Sequence, residues 1–321
     1  MKKHLSSLLF FAAAAIWGFA FAAQKQAAII PALTIGSIRS LLAGVFLFCS
    51  IPLMDRLTKN NRHFFSRRGL DFKKSELIGG VICGVILSIA STLQQSGLGE
   101  GTDAGKAAFI TALYVLVVPI LSLLIGKRSP VNVWLGVIIA VLGFYLLCIK
   151  QDFTLEFSDA LVLLCAVVFA LHIMAIDRFS PGCDGVRLSC IQFFTYFVIA
   201  TPTALIVDGA PDLSAILSVL PAMLYFGICS GGLGYTLQIV GQGMDGVNPA
   251  VACIIMSLES VFGVVGGAIV LGEVMSTREY IGCAVVFSAV IISQLDFNEI
   301  KRAVLSRNQA SIGQKDRENV N

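Results

Sequence analysis

The sequence predicts an all-α polytopic membrane protein with ten transmembrane helices, arranged as two inverted five-helix repeats. Three observations predict this fold class. Of the 321 residues, 56% are hydrophobic and 13% are charged, whereas a soluble domain carries about 25% charged residues. The apolar residues fall into ten stretches, most of them within the roughly 17 to 25 residues that cross a bilayer as a helix. Short motifs of the first half recur in the same order in the second half.

The predicted spans follow the apolar stretches, and period-2 alternation typical of a membrane β-barrel does not occur. They are Leu5–Ala23, Leu33–Met54, Leu77–Leu98, Ala107–Gly126, Val131–Ile149, Ala160–Ile176, Leu188–Val207, Ile216–Val240, Val247–Leu271 and Tyr280–Leu295.

The positive charges predict the orientation, because cytoplasmic connections carry an excess of Lys and Arg. With the N-terminus inside, the inner segments hold 18 of the 23 Lys and Arg residues and the outer segments hold four. We therefore expect a multi-pass protein of the cell (inner) membrane with both termini cytoplasmic. The basic connection Asp55–Glu76 is expected to act as a topology anchor, the alternative being a lipid or regulatory contact. Residues 297–321 are expected to form a polar cytoplasmic tail.

An internal repeat divides the chain into residues 1–150 and 155–296. The motif Thr92-Leu93-Gln94-x-x-Gly97-x-Gly99 recurs as Thr236-Leu237-Gln238-x-x-Gly241-x-Gly243. Trp134-Leu135-Gly136 matches Tyr280-Ile281-Gly282, and Ile38-Arg39 matches Ile191-Gln192. Because five helices are an odd number, the second half would enter the membrane with the opposite orientation. Inverted repeats of this kind are common in transporters that work by alternating access.

Several motifs resemble the EamA-type family of the drug/metabolite transporter superfamily, over nearly the whole length from about Leu5 to Leu295. The residues that carry the resemblance are Ile16-Trp17-Gly18, Arg39 with Leu41-Leu42-Ala43, the run from Ala107 to Tyr114, the run from Ser257 to Phe262, and Leu271-Gly272-Glu273. The chain departs from the family pattern at two points. Ser260 stands where the family often has proline, which favours a straighter ninth helix, and Gly126 is followed by Lys127 in place of glutamate.

The resemblance implies a carrier, usually an exporter of metabolites, amino acids or toxic compounds. Transport of a nucleotide sugar or a drug-like compound is the alternative within the superfamily. An intramembrane enzyme is disfavoured because the sequence has no H-E-x-x-H and no G-x-S-x-G motif. A channel or receptor is the third class. No Walker-type phosphate loop occurs, so the chain does not itself hydrolyse ATP.

Glu259 is the most informative candidate residue. It lies about twelve residues into its predicted span, or roughly 18 Å deep at 1.5 Å per residue. A carboxylate at that depth costs about 3 kcal/mol on insertion scales and is expected to face the bundle interior. It could contact the substrate or carry a proton; alternatively, it could pair with Arg39 or cap a broken helix.

The other candidates are polar or aromatic residues within the spans or at their ends. Each has a structural alternative: snorkelling for Arg39, hydrogen bonding between helices for the amides and the histidine, interfacial anchoring for the lysine, and packing for the aromatic rings. They are Arg39, Gln94, Gln238, His172, Lys106, Trp17, Tyr114 and Tyr235.

The expected partners are a small-molecule substrate, membrane lipid and, as a coupling ion, protons. We expect no catalytic residues, no cofactor, no metal and no nucleic acid. The scattered cysteines contain no C-x-x-C pair, which favours a role as small packing residues.

Overall fold

The computed structural model describes residues 2–57, 72–102, 104–148, 156–271 and 275–295. The tail after residue 296 and most of the basic connection Asp55–Glu76 lie outside the described residues. The helices are α1 (Lys2–Ala27), α2 (Ala32–Leu57), α3 (Lys74–Gly99), α4 (Ala104–Ala112), α5 (Tyr114–Leu124), α6 (Val131–Cys148), α7 (Phe157–Phe179), α8 (Gly185–Val207), α9 (Leu213–Ser218), α10 (Leu220–Leu224), a π-helix (Tyr225–Gly234), α11 (Tyr235–Gln242), α12 (Pro249–Met256), α13 (Glu259–Leu271) and α14 (Thr277–Gln294).

The described part of the chain is helical, and many of its helices are apolar. Eight helices or groups of consecutive helices are long and apolar enough to cross a membrane, and α6 is a shorter apolar helix. Helix α14 has 18 residues and packs along α6. The prediction of ten crossings requires both α6 and α14 to cross, and it stays a prediction.

The fourth and ninth predicted spans coincide with candidate membrane spans of the structure, and each consists of two consecutive helices. The fourth predicted span is interrupted at Leu113, whose backbone N–H donates to the carbonyl of Ile110 three residues earlier. The ninth is interrupted at Ser257 and Leu258, where Leu258 donates to Ile255 and the Ser257 hydroxyl donates to an earlier carbonyl. Tightened turns and hydroxyl back-bonding bend helices without proline, so the serine at position 260 does not leave this helix straight.

The eighth predicted span is also divided, because its centre is a π-helix. This segment, Tyr225–Gly234, contains four glycines. At Gly227 and Gly232 an added Cβ would meet side chains of α2, and at Gly234 it would meet the indole of Trp17. Lack of a Cβ therefore lets α1 and α2 approach the π-helix closely. Such π-helical segments are rare and occur often at functional sites.

Helices α6 and α14 form a closely interlocked pair. A Cβ added at Gly136 of α6 would lie 3.1 Å from the carbonyl oxygen of Ala289, and one added at Gly282 of α14 would lie 2.7 Å from the backbone nitrogen of Leu147. Elsewhere α2 packs on α8, and α3 packs on both α7 and α8. The largest buried apolar cluster joins α1, α4–α7 and α12–α14.

Two carboxylates accept hydrogen bonds at the N-terminal ends of α8 and α2. Each carboxylate belongs to one half of the chain and the helix that it caps belongs to the other half. Glu76 accepts a hydrogen bond from the backbone N–H of Asp184 at 3.0 Å, at the start of α8. Asp208, at the other end of α8, accepts from the backbone N–H and hydroxyl of Thr34 at 2.9 and 2.8 Å, at the start of α2. Burial raises the pKa of the Asp184 carboxyl above its ordinary value, although hydrogen bonds and charge from Arg187 act in the opposite direction.

Candidate functional site

A polar cavity lies in the middle of the bundle. The cavity contains about 570 Å³ of empty space, including the part that is open to solvent. The smaller volume in which water molecules can be centred is about 60 Å³. The residues around it come from α1–α5, α7, α11–α13 and the π-helix. They are Trp17, Ala20, Phe21, Gln24, Arg39, Gln94, Thr111, Tyr114, Phe169, His172, Ile173, Phe226, Ser230, Tyr235, Gln238, Met256 and Glu259.

Glu259 reaches this cavity because the interruption of the ninth predicted span places it at the start of α13. Its side chain is 8% exposed and accepts a hydrogen bond from the hydroxyl of Tyr114 at 3.3 Å. Tyr114 itself begins α5, just after the interruption that precedes that helix. Two broken helices therefore meet at the cavity and bring their first residues together.

Arg39 lies in the same cavity and is 4% exposed, so it does not snorkel to a surface. Its guanidinium carbon stacks 3.8 Å above the centre of the Phe226 ring. Within the described residues it forms neither an ion pair with Glu259 nor a hydrogen bond, and its Nε is buried without a partner. The alternative that Glu259 is the structural partner of Arg39 is therefore not what the structure shows.

The predicted amides and the histidine form a hydrogen-bonded lining. His172 Nε2 lies 2.9 Å from Gln192 Oε1, which joins α7 to α8. The amide of Gln238 donates to Gln242 at 3.0 Å, whereas its Oε1 has no partner. Gln94 donates to the hydroxyl of Thr111 at 3.2 Å. These groups hold the helices together and also line the cavity.

Aromatic side chains form one wall of the cavity. The indole N–H of Trp17 donates to the carbonyl oxygen of Ser230 at 3.1 Å, which ties α1 to the π-helix. The Trp17 ring lies 4.9 Å from the ring of Tyr235, and the Tyr235 ring lies 5.7 Å from His172 and 5.6 Å from Phe193. Such a wall can pack on an apolar or aromatic part of a solute.

Lys106 is the one predicted site residue that does not line the cavity. Its Nζ lies 2.5 Å from a carboxylate oxygen of Asp159, which also accepts from Thr102 at 3.1 Å. This ion pair joins α4 to the start of α7. The eight other predicted residues line the cavity together.

Sequence reasoning missed several residues that the structure brings to the cavity. Phe226 and Ser230 belong to the π-helix, and the closely spaced glycines of that segment were the available signal. Thr111 lies within the motif run from Ala107 to Tyr114, but the motif alone did not single it out. Gln24 was read as the end of a span, yet it is 7% exposed and its Oε1 has no partner.

Helix α1 contributes to the cavity only through its C-terminal part, from Trp17 to Gln24. Near its N-terminal end α1 packs closely on α11, since a Cβ added at Gly241 would meet Phe10. A Cβ added at Gly185 of α8 would meet Val240 of α11. Lys127, which follows α5, forms an ion pair of 2.5 Å with Asp177 of α7.

The described residues contain no group of three or more His, Cys, Asp or Glu side chains arranged to hold a metal ion. The cavity instead offers one cation, one carboxylate, amides and aromatic rings. A few polar groups among apolar and aromatic side chains are typical of a site that binds a small solute.

A bundle of apolar helices around a polar central cavity defines a polytopic helical membrane protein. The family model of the EamA-like transporter family matches residues 4–149 and again residues 156–294. The chain belongs to the EamA-like transporter family and is a membrane transporter.

One further comparison agrees with this assignment, and another shows a shared fold alone. The chain is 30% identical over 234 residues to an uncharacterized transporter of Archaeoglobus fulgidus, a match that covers 71% of this chain and 70% of that protein. Its fold is similar to a solved structure described only as the crystal structure of a protein, with a TM-score of 0.70 and 14% identity. That likeness covers 90% of this chain and 96% of the solved one.

Proposed function

We propose that the protein is a secondary transporter that exports small metabolites or amino-acid-like solutes across the cytoplasmic membrane by alternating access. The observation that carries this proposal is the central cavity. It places a buried cation and a buried carboxylate, Arg39 and Glu259, among aromatic rings at the middle of the bundle. Ionisable groups inside a membrane protein are expensive to bury and commonly mark substrate or proton pathways.

Reciprocal contacts between the two halves support the inverted repeat. Gly136 approaches residue 289, and Gly282 approaches residue 143. Positions 136 and 282 are equivalent in the repeat, and so are 143 and 289. When residue i contacts j and the equivalent of i contacts the equivalent of j, the two halves are related by an approximate two-fold axis.

A second set of reciprocal contacts supports the same axis. Gly80 and Gly84 of α3 approach α8, and Gly227 and Gly231 of the π-helix approach α2. The α6–α14 and α2–α8 pairs each join equivalent helices. Two similar halves around such an axis can pack against each other in two near-equivalent arrangements, and these would be the inward-open and outward-open states.

Cytoplasmic termini would place the start of α1 at the inner face and its cavity-lining residues, from Trp17 to Gln24, in its outer half. Alternating access would require the close contacts at each end of the bundle to separate in turn, including the Lys127–Asp177 pair at one end and the Lys106–Asp159 pair at the other.

The size of the cavity favours a small solute. A space of about 60 Å³ for water-sized sphere centres corresponds to roughly four to six water molecules. Four to six water molecules take up about 120–180 Å³ of liquid volume at about 30 Å³ each, and a nucleotide sugar, with a base, two sugars and two phosphates, is larger than that. We therefore favour metabolites of amino-acid size over nucleotide sugars.

The test is flux through the purified protein in liposomes. Vesicles loaded with an isotope-labelled metabolite extract are compared with vesicles that lack the protein, and the released solutes are identified by mass spectrometry. We expect a small set of solutes to leave with saturable kinetics and to exchange with the same solute outside. Release that does not saturate would indicate a pore, and no protein-dependent release of any solute would refute the proposal.

A further inference from the structure

Arg39 is a buried cation that forms no ion pair with any carboxylate of the described residues. Within the described residues, its guanidinium stacks on Phe226. It interacts with the other polar groups of the cavity only over longer distances. The other fully buried arginine is different, because Arg187 donates to Asp184 at 2.7 Å. A buried charge is strongly unfavourable unless a partner or a ligand compensates it.

The stack on Phe226 determines which atoms of Arg39 can receive a ligand. The ring covers one face of the guanidinium plane at 3.8 Å. A guanidinium in this position directs its N–H donors along the plane, away from the ring, in the fork that matches a carboxylate or phosphate. Arg39 lines the cavity, so an anion there could accept two of these hydrogen bonds.

The position equivalent to Arg39 in the second half supports an interaction partner for Arg39 that comes from outside the protein. The repeat matches Arg39 with Gln192, which hydrogen-bonds His172 at 2.9 Å. In the second half, the amide oxygen therefore has a partner from within the protein, whereas the amide nitrogen has none among the described residues. In the first half, no carboxylate of the described residues forms an ion pair with the charged side chain, and its partner would come from outside.

We propose that Arg39 binds an anionic group, a carboxylate or a phosphate, of the transported solute. The proposal rests on the proposed transport function and adds a charge requirement to it. Closing the cavity without the anion would leave the cation uncompensated, so anion binding accompanies closure. Glu259 is in the same cavity and remains free to take a hydrogen-bond donor of the solute.

Trp17 provides a readout that does not depend on transport. The chain has two tryptophans, Trp17 and Trp134, and Trp17 lines the cavity. In the full-length protein carrying Trp134→Phe, the fluorescence of Trp17 is titrated at constant ionic strength. The probes are benzoate, its uncharged match benzamide, and inorganic phosphate. A Trp17→Phe protein that retains Trp134 is the control for signal from outside the cavity.

We expect a saturable change with benzoate or phosphate and binding of benzamide that is weaker by at least about tenfold. A response to benzoate alone assigns a carboxylate solute, and a response to phosphate alone assigns a phosphorylated one. Arg39→Gln should abolish the response, and Arg39→Lys should retain a weaker one. Equal binding of benzamide and benzoate, unchanged binding by Arg39→Gln, or no saturable response to either anion would overturn the proposal.

Thermal unfolding of the free proteins provides a second test. Arg39→Gln removes an uncompensated charge, so its melting temperature should equal or exceed that of the parent. Arg187→Gln removes the ion pair with Asp184, whose carboxylate keeps only its backbone hydrogen bonds among those described, and it should melt lower. If both variants melt lower by the same amount, Arg39 is a paired structural residue and the proposal fails. Because neither measurement involves flux, failure here is distinguishable from failure of the transport proposal.

Discussion

Replacement of Glu259 by glutamine tests whether the buried carboxylate serves transport or stability. Glutamine keeps the shape of the side chain and can still accept a hydrogen bond from Tyr114, now without the charge. The structure gives Glu259 one hydrogen bond, at 3.3 Å, and no cation within ion-pair distance in the described part of the chain. The substitution Glu259→Gln therefore leaves no unpaired buried cation.

The magnitude follows from that single contact. A hydrogen bond to a charged group contributes about 1.5–3 kcal/mol and one between neutral groups about 0.5–1.5 kcal/mol. The variant should thus lose about 1 kcal/mol of this interaction, and removal of a buried charge offsets part of it. We expect the free energy of unfolding to change by about 1 kcal/mol or less. Disruption of a buried ion pair would instead cost about 3–5 kcal/mol.

The assay is flux per folded molecule in liposomes, measured from about pH 5 to pH 8 with the solute identified by mass spectrometry. We expect Glu259→Gln to reduce flux at least tenfold, equivalent to about 1.4 kcal/mol, or to remove its pH dependence. The matched control is Glu279→Ala, since Glu279 is a buried capping carboxylate outside the cavity. It should lower stability by about 1 kcal/mol and leave flux per folded molecule unchanged. Normal flux with an unchanged pH profile in Glu259→Gln would refute the reasoning.

Three further outcomes are expected. Gly282→Ala should lower thermal stability by about 1–3 kcal/mol because its Cβ would meet backbone atoms of α6. The control Gly99→Ala should leave stability unchanged, since no atom lies within 4 Å of the added Cβ. Equal melting temperatures of the two variants would contradict the packing argument. Asp208→Ala should cost about 1–2 kcal/mol, measured by chemical unfolding, because the start of α2 loses its cap; an unchanged midpoint would show that water replaces the carboxylate. In intact cells an impermeant thiol reagent should label Ala210→Cys and not Asn60→Cys, and the reverse pattern would invert the predicted orientation.

The positions of most helices and of the cavity residues could be predicted because both depend on polarity. Long apolar stretches located the helices, and polar residues within those stretches, such as Arg39 and Glu259, turned inward because lipid cannot solvate them. The repeat directed attention to Gln94 and Gln238 in the same way. None of these inferences required knowledge of how the helices pack.

The interruptions of the helices could not be predicted from the polarity of the sequence. Backbone breaks at Leu113 and at Ser257 leave hydropathy unchanged, and the proline that would have indicated one of them is absent. The π-helix is equally invisible to a hydropathy profile. Phe226 was missed because its importance comes from the guanidinium stacked on it, which is a property of two distant segments.

The contact between Asp208 and Thr34 can form only late in the synthesis of the chain. The two residues are separated by 174 positions, which a ribosome adds in about 9–35 s at roughly 5–20 residues per second. During that interval the start of α2 has no cap from Asp208, and the glycine surface of α6 likewise has no partner until α14 is made, since Ala289 follows Gly136 by 289 − 136 = 153 positions. Helices α1–α6 must therefore persist with these contact surfaces unoccupied until the later helices are made.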